Sequence, residues 1–179
     1  MNILERNLSV MMANEHLNTA PVFEMPASFA MRWFVPGDEA TWAMVVQVAE
    51  RFQKIDETVF PKQYGNDLTE LSRRVGFLMD TDENAVGTIS AWKALYNERE
   101  YGLIHWVAIV PEMQGRGLGK PLMSAACRRL LELGHDRAYL NTSSARVPAI
   151  NLYRLFGFEP VLRNEDERVA WQELMAHLK

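Results

Sequence analysis

Apolar and polar positions along the chain change rhythm several times, and each change marks a predicted element. Ile3, Leu4, Leu8, Met11 and Met12 recur at helical spacing and predict a short amphipathic helix. "NTAPVFEMPASF" follows with two prolines and reads as an irregular connector. Residues 1–28 are therefore expected as an N-terminal extension, packed across the domain or against a second subunit, with the domain itself at 29–179. "FAMRWFV" at 29–35 has strand composition. After a Pro-Gly turn, Trp42, Val45, Val46, Ala49 and Phe52 share one side of a helix whose first turn is acidic. Asn66 or Asp67 is placed to cap a second, short helix within 53–72.

"VGFLMD" and "AVGTISAWKAL" predict two strands joined at "TDEN", and "YGLIHWVAIV" at 101–110 continues the meander after "NERE". Next comes "PEMQGRGLGKPLMSAACRRLLELG", a glycine-rich loop running into a helix through Leu118, Leu122, Ala126, Leu130 and Leu133. A strand at 138–143 and a helix at 148–157, closed by Gly157, follow. The tail is expected to add one or two strands in a hairpin. This order predicts one α/β (α+β) domain, with a mixed central sheet of roughly six to seven strands flanked by about four helices.

Composition narrows the function. Hydrophobic residues make up 48% of the chain and charged residues 23%, as in a soluble globular protein. A net charge of −4 offers no basic footprint for nucleic acid or an anionic membrane, so neither is expected as a partner. The pairs Arg73-Arg74 and Arg128-Arg129 read as solvated faces. Cys127 is the one cysteine; it suits a reducing compartment, excludes an internal disulfide and reads as a structural thiol in mid-helix. His16, His135 and His177 lack ligand spacing, so no metal is expected. No apolar run approaches a membrane span and no basic-then-apolar start is present, which predicts a cytoplasmic protein.

The glycines at 115, 117 and 119 need a reason, because glycine weakens a helix start unless the backbone must be approached closely. A helix N-terminus leaves N–H groups unpaired and partially positive, and bare glycines turn such an end into a phosphate cradle. A Walker A loop is excluded: Gln114 stands at its first glycine and Pro121 follows Gly119-Lys120. A dinucleotide fingerprint is excluded by glycine spacing and by the antiparallel meander before it. Gln-x-x-Gly-x-Gly remains, at Gln114, Gly117 and Gly119. The alternative is a loop whose glycines only permit a sharp strand-to-helix turn.

"VAIVPEMQGRGLGKPLM" resembles the acyl-CoA-binding segment of the GNAT superfamily of acetyl-CoA-dependent N-acetyltransferases. "AINLYRLFGFEP" resembles that superfamily's next motif, with Asn151, Tyr153 and Gly157-Phe158 in register. The resemblance covers roughly residues 29–175. It implies acetyl-CoA as co-substrate, with its diphosphate on Gln114, Gly115, Arg116, Gly117, Leu118, Gly119 and Lys120. The pantetheine arm would run beside Val107, Ala108 and Ile109, and Asn151 would touch it. Acetyl transfer would go directly to an amine acceptor, a small molecule or peptide amine, in a ternary complex near residues 53–72. Tyr153 matches the family's general acid; the alternative is a packed Tyr with an idle hydroxyl. The family often carries an Asn seven residues before that Tyr. This chain has Arg146 there, which sets a cation near the cofactor.

His105 is the candidate general base, its alternative being a packed, satisfied imidazole. Strand alternation predicts His105, Val107 and Ile109 on one face and Ile104, Trp106 and Ala108 on the other. Glu39, Asp56 and Glu57 are substitutes acting through water. A homodimer is compatible with the resemblance. A non-catalytic acyl-CoA sensor or scaffold is the alternative function.

Overall fold

The computed structural model describes residues 2–179. The N-terminal stretch departs from its helical spacing almost at once. Asn2 caps a single turn, α1 (Ile3–Arg6), by accepting the N–H groups of Leu4 and Glu5. Asn7 then takes a left-handed φ of 46°, and the chain enters strand β1 (Ser9–Asn14). Val10, Met12 and Asn14 also carry a period of two, and the strand wins because it has a partner. All six residues of β1 pair antiparallel with a later strand, Ser9 opposite Ser143 through Asn14 opposite Ala138. The stretch before residue 29 thus supplies an interior strand of the central sheet.

Strand β2 (Phe29–Trp33) leads into α2 (Asp38–Ala49), then α3 (Val59–Tyr64) and α4 (Leu68–Arg74). Asp67 caps α4 as expected, accepting the N–H groups of Thr69 and Glu70. The short α3 was not legible beforehand; Pro61 sits in its first turn, where a missing N–H costs nothing. Strands β3 (Val75–Asp80), β4 (Ala85–Tyr96) and β5 (Arg99–Ile109) form the predicted meander, followed by α5 (Gly119–Glu132), β6 (Ala138–Ser143) and α6 (Val147–Leu155).

The tail differs from the expected hairpin. Only two residues form β7 (Glu159–Pro160), and the chain then folds into α7 (Glu165–Met175). Asn164 accepts the N–H of Glu167, and three acidic residues fill the first turn, where the helix dipole favours them. The slot that a second hairpin strand would occupy belongs to β1. The sheet runs β2-β3-β4-β5-β6-β1-β7, antiparallel except between β5 and β6.

Both faces of the sheet are covered. Leu122, Met123, Ala126 and Leu130 of α5 pack with Ile150 and Phe156 on one face. Trp42, Phe60, Tyr64, Leu71 and Phe77 form an aromatic-rich core on the other. Each leucine, isoleucine, methionine or phenylalanine among them, fully removed from water, is worth about 1.5–3 kcal/mol. Phe52, expected on the buried side of α2, lies past its end and is largely exposed. Of the paired arginines, Arg73 and Arg128 are solvated. Arg74 is buried and bonds Glu70 and the Ala91 carbonyl, while Arg129 stacks on Trp33 at 4.0 Å. Cys127 lies in the core, where burial pushes its thiol up to about 12 and keeps it inert.

Candidate active site

The glycine loop is stapled to the strand it leaves. Val110 N–H donates to Val86 (2.9 Å), and Gln114 Nε2 reaches back to the Ile109 carbonyl at 2.8 Å. Gly115 and Gly117 take φ values of 75° and 77°, and a Cβ at either would meet nothing within 4 Å. The openings therefore face space, not protein. Among the described residues, the N–H groups of 115–119 have no hydrogen-bond acceptor; the first bonds of α5 start from Lys120 and Leu122. Five amides at the positive end of a 14-residue helix fit a diphosphate. Arg116 is exposed beside them, whereas the side chain of Leu118 is buried, leaving only its N–H to serve.

Strands β5 and β6 pair only at Gly102–Ala138 and Leu103–Tyr139 and then part. A cleft of about 510 Å³ opens there, and His105, Val107, Ala108, Ile109, Gln114 and Tyr153 all line it. Asn151 does not: its Oδ1 accepts the N–H of Lys179 at 2.9 Å. Glu39, Asp56 and Glu57 also lie outside it, and from 53–72 only Gln53 reaches it. A second cavity of about 490 Å³, between α1, β1 and α7, holds none of the predicted residues.

A bulge interrupts the alternation predicted for β5. Ser90 pairs with His105 and Thr88 with Ala108, so Trp106 and Val107 together face Ile89. Trp106 adopts a φ of 49°, a strained value for a bulky residue. His105 and Trp106 consequently both reach the aromatic core, while Ile104, Val107 and Ile109 pack on the α5 side. His105 is therefore not on the face of Val107 and Ile109. The bulge interrupts the β4–β5 ladder beside the cleft, which Trp106 and Val107 both line.

Gln63 fixes the His105 tautomer. Its Oε1 lies 3.2 Å from Trp106 Nε1, which can only donate, and 2.9 Å from His105 Nε2. Nε2 therefore carries the proton and Nδ1 the lone pair. Burial holds the imidazole down to about 4, so it is neutral at pH 7. In an unfolded chain it would titrate near 6.5. Full stability is thus present above about pH 6.5 and is lost as pH falls towards 4, by at most a few kcal/mol. Urea unfolding between pH 7 and 4.5 should show this loss, and His105→Asn should flatten it; an unchanged slope would contradict the burial.

Tyr153 is buried, its hydroxyl has no partner among the described residues, and burial pushes it up to about 12. Its proton stays in place throughout the neutral range.

Two cleft residues had little or no sequence signal. Glu50 ends α2, and Arg146 precedes α6; Arg146 Nη2 donates to both Glu50 oxygens, at 2.8 and 2.9 Å. Burial alone would raise the Glu50 carboxyl, but Arg146 and the Phe52 N–H outweigh it and hold it below the usual range. Arg146 was visible as a departure from the family's Asn. Nothing in the local pattern marked Glu50.

Residues 42–158 match the acetyltransferase (GNAT) family. The chain belongs to that family. It is similar to the mycothiol acetyltransferase of Pseudarthrobacter chlorophenolicus, 30% identical over 77% of this chain and 45% of that protein. It is also similar to that of Saccharomonospora viridis, 29% identical over 87% and 54%. The chain spans about half the length of these curated relatives. Among solved structures, a GCN5-related N-acetyltransferase from Sphaerobacter thermophilus shares the fold, with a TM-score of 0.70 at 22% identity over 86% of this chain and 48% of that one. The crystallised NatC complex bound to Gag peptide and CoA aligns at 0.59, with 18% identity over 71% and 82%. As in the GNAT fold expected, a single mixed sheet of seven strands carries the site. Among the described residues, no cluster of His, Cys, Asp or Glu could hold a metal, and no helix is long and apolar enough to cross a membrane.

Proposed function

We propose that this GNAT protein is an acetyl-CoA-dependent N-acetyltransferase that moves the acetyl group directly onto an amine in a ternary complex. One observation carries the reading. The unpartnered amides of 115–119 lie beside a cleft that also holds Tyr153 and His105. Gln114, Gly115, Arg116, Gly117, Leu118, Gly119 and Lys120 would hold the diphosphate. The freed backbone of Val107, Ala108 and Ile109 would pair with the pantetheine arm. Asn151, which accepts the Lys179 N–H, is left out of the cofactor site. Acetyl-CoA supplies the activated thioester.

The residues position and move protons. The cleft brings the two reactants together, which by itself supplies much of a rate. Backbone N–H groups at the bulge stabilise negative charge developing on the acetyl oxygen. Nδ1 of His105 accepts a hydrogen bond from the amine; a base held near 4 stores a proton poorly and hands it on to water. Tyr153 donates its proton to the departing thiolate. The relatives' printed name makes mycothiol-type amines one arm of an acceptor screen. The single buried cysteine suits a reducing compartment, and a cytoplasmic location is part of the proposal.

The rival reading, an acyl-CoA sensor, draws on the weak basicity of His105. Two measurements separate them. Acetyl-CoA at 100 times its dissociation constant should stabilise the chain by about 2.7 kcal/mol in thermal unfolding. Amines should then release free thiol from it. No stabilisation would reject both readings, and stabilisation without thiol release from any amine would leave the sensor.

A further inference from the structure

We propose that the open edge of β1 is a docking groove for a short extended peptide segment, apolar and basic by turns, which adds a strand to the central sheet. The groove shares no lining residue with the acetyl-transfer cleft. It begins where β7 stops. Pro160 and Glu159 of β7 cover only Met12 and Ala13. The Val161 N–H then reaches the Met11 carbonyl at 2.9 Å, and the chain leaves the sheet to start α7. Strand alternation decides which main-chain groups stay open. The Leu8 carbonyl accepts the Ser144 N–H, so Leu8, Val10 and Met12 turn their main-chain groups towards β6. Ser9 and Met11 turn theirs away from it. Among the described residues, the N–H and C=O of Ser9 and the N–H of Met11 have no partner. A donor, an acceptor and a second donor thus stand in a row, the pattern that takes an added strand. β7 is blunted on its own outer side by its shortness and by Pro160, which lacks an N–H. Residues 9–11 carry neither proline nor charge.

The walls select the occupant. Against this edge lies the cavity of about 490 Å³, where Ile3, Val161, Val169, Trp171 and Leu174 offer apolar surface to alternate side chains of an extended segment. Its two arginines are already taken: Glu173 holds Arg6 at 3.0 Å, and Glu167 holds Arg163 at 2.7 Å. Asp166 lines the same cavity and has no ion-pair or hydrogen-bond partner among the described residues. One carboxylate is therefore left uncompensated. It attracts a lysine or arginine of the occupant and repels an acidic segment. A peptide strand meets the apolar, main-chain and charge demands together, whereas a small apolar molecule would leave the main-chain groups of Ser9 and Met11 empty.

Amide hydrogen exchange followed by NMR tests the groove without relying on turnover. Three blocked pentapeptides serve as probes: valine alternating with lysine, valine alternating with glutamate, and the lysine peptide with every amide N-methylated. The lysine peptide should slow exchange at Ser9 and Met11 by about tenfold or more and leave Met12, already paired with β6, unchanged. The glutamate and N-methylated peptides should bind at least about tenfold more weakly, the first through charge and the second through lost main-chain hydrogen bonds. Asp166→Asn, on an exposed helix turn, should erase the preference for lysine over glutamate and leave acetyl-CoA affinity unchanged. Protection by none of the peptides, or binding of all three alike, would overturn the assignment. So would protection of Ser9 and Met11 that grows with protein concentration in the absence of peptide, which would give the edge to a second copy of the chain.

Discussion

Replacing Gly117 by valine is expected to weaken acetyl-CoA binding by about 100-fold or more, close to 3 kcal/mol, while the fold survives. No atom lies within 4 Å of the Cβ that Gly117 lacks, so the new side chain meets no protein and occupies only the space the cradle leaves to its ligand. The φ of 77° adds strain, because a β-branched residue resists the left-handed region. That strain must be separated from steric exclusion. Gly134 provides the control: its φ is 88° and its Cβ would also meet nothing, but it closes the far end of α5. Gly134→Val should cost similar stability and leave acetyl-CoA affinity unchanged. Equal losses from both variants, or none from Gly117→Val, would remove the cradle from the argument.

The second large effect belongs to Tyr153. Tyr153→Phe should lower kcat by about 100-fold, at the lower end of what a positioned acid contributes, with acetyl-CoA affinity kept within about twofold. Stability should hardly change, since the hydroxyl bonds to no protein group and the ring remains packed near Phe158. With the phenol pushed up to about 12, no alkaline loss of activity should arise from Tyr153 below roughly pH 11. Stopped-flow release of CoA thiol across pH 6–10 measures both. An unchanged kcat in Tyr153→Phe would show that water protonates the thiolate.

Much of the site was legible because its motifs are local. The strand, the glycine loop and the helix that receives it are consecutive in sequence, and Tyr153 follows in the next helix. Spacing could therefore mark Gln114, Gly117 and Gly119 as a cradle, and the resemblance to the family set Val107 and Tyr153 beside it; Val107, Gln114 and Tyr153 do line one cleft. What escaped was set by distant partners. His105 changed faces because the bulge opposite Ile89 consumes one extra residue, and that register depends on β4. Met11 and Met12 fit a helix as well as a strand, and only the demand of β6 for a neighbour decided between them. Glu50 acquired its role from a pairing with Arg146, 96 residues away. In the tail, Asn164 and the acids after it carried a legible helix start that the expectation of a hairpin overrode.

The placement of β1 bears on how the chain is made. Strand β1 cannot pair until β6, roughly 120 residues later, has been synthesised, an interval of several seconds or more at about 5–20 residues per second. Until then Val10, Met11 and Met12 stay uncovered and β6 has no neighbour on its outer side. Nascent chains should therefore remain dependent on holdase chaperones at least until β6 has emerged, and the central sheet cannot close before then.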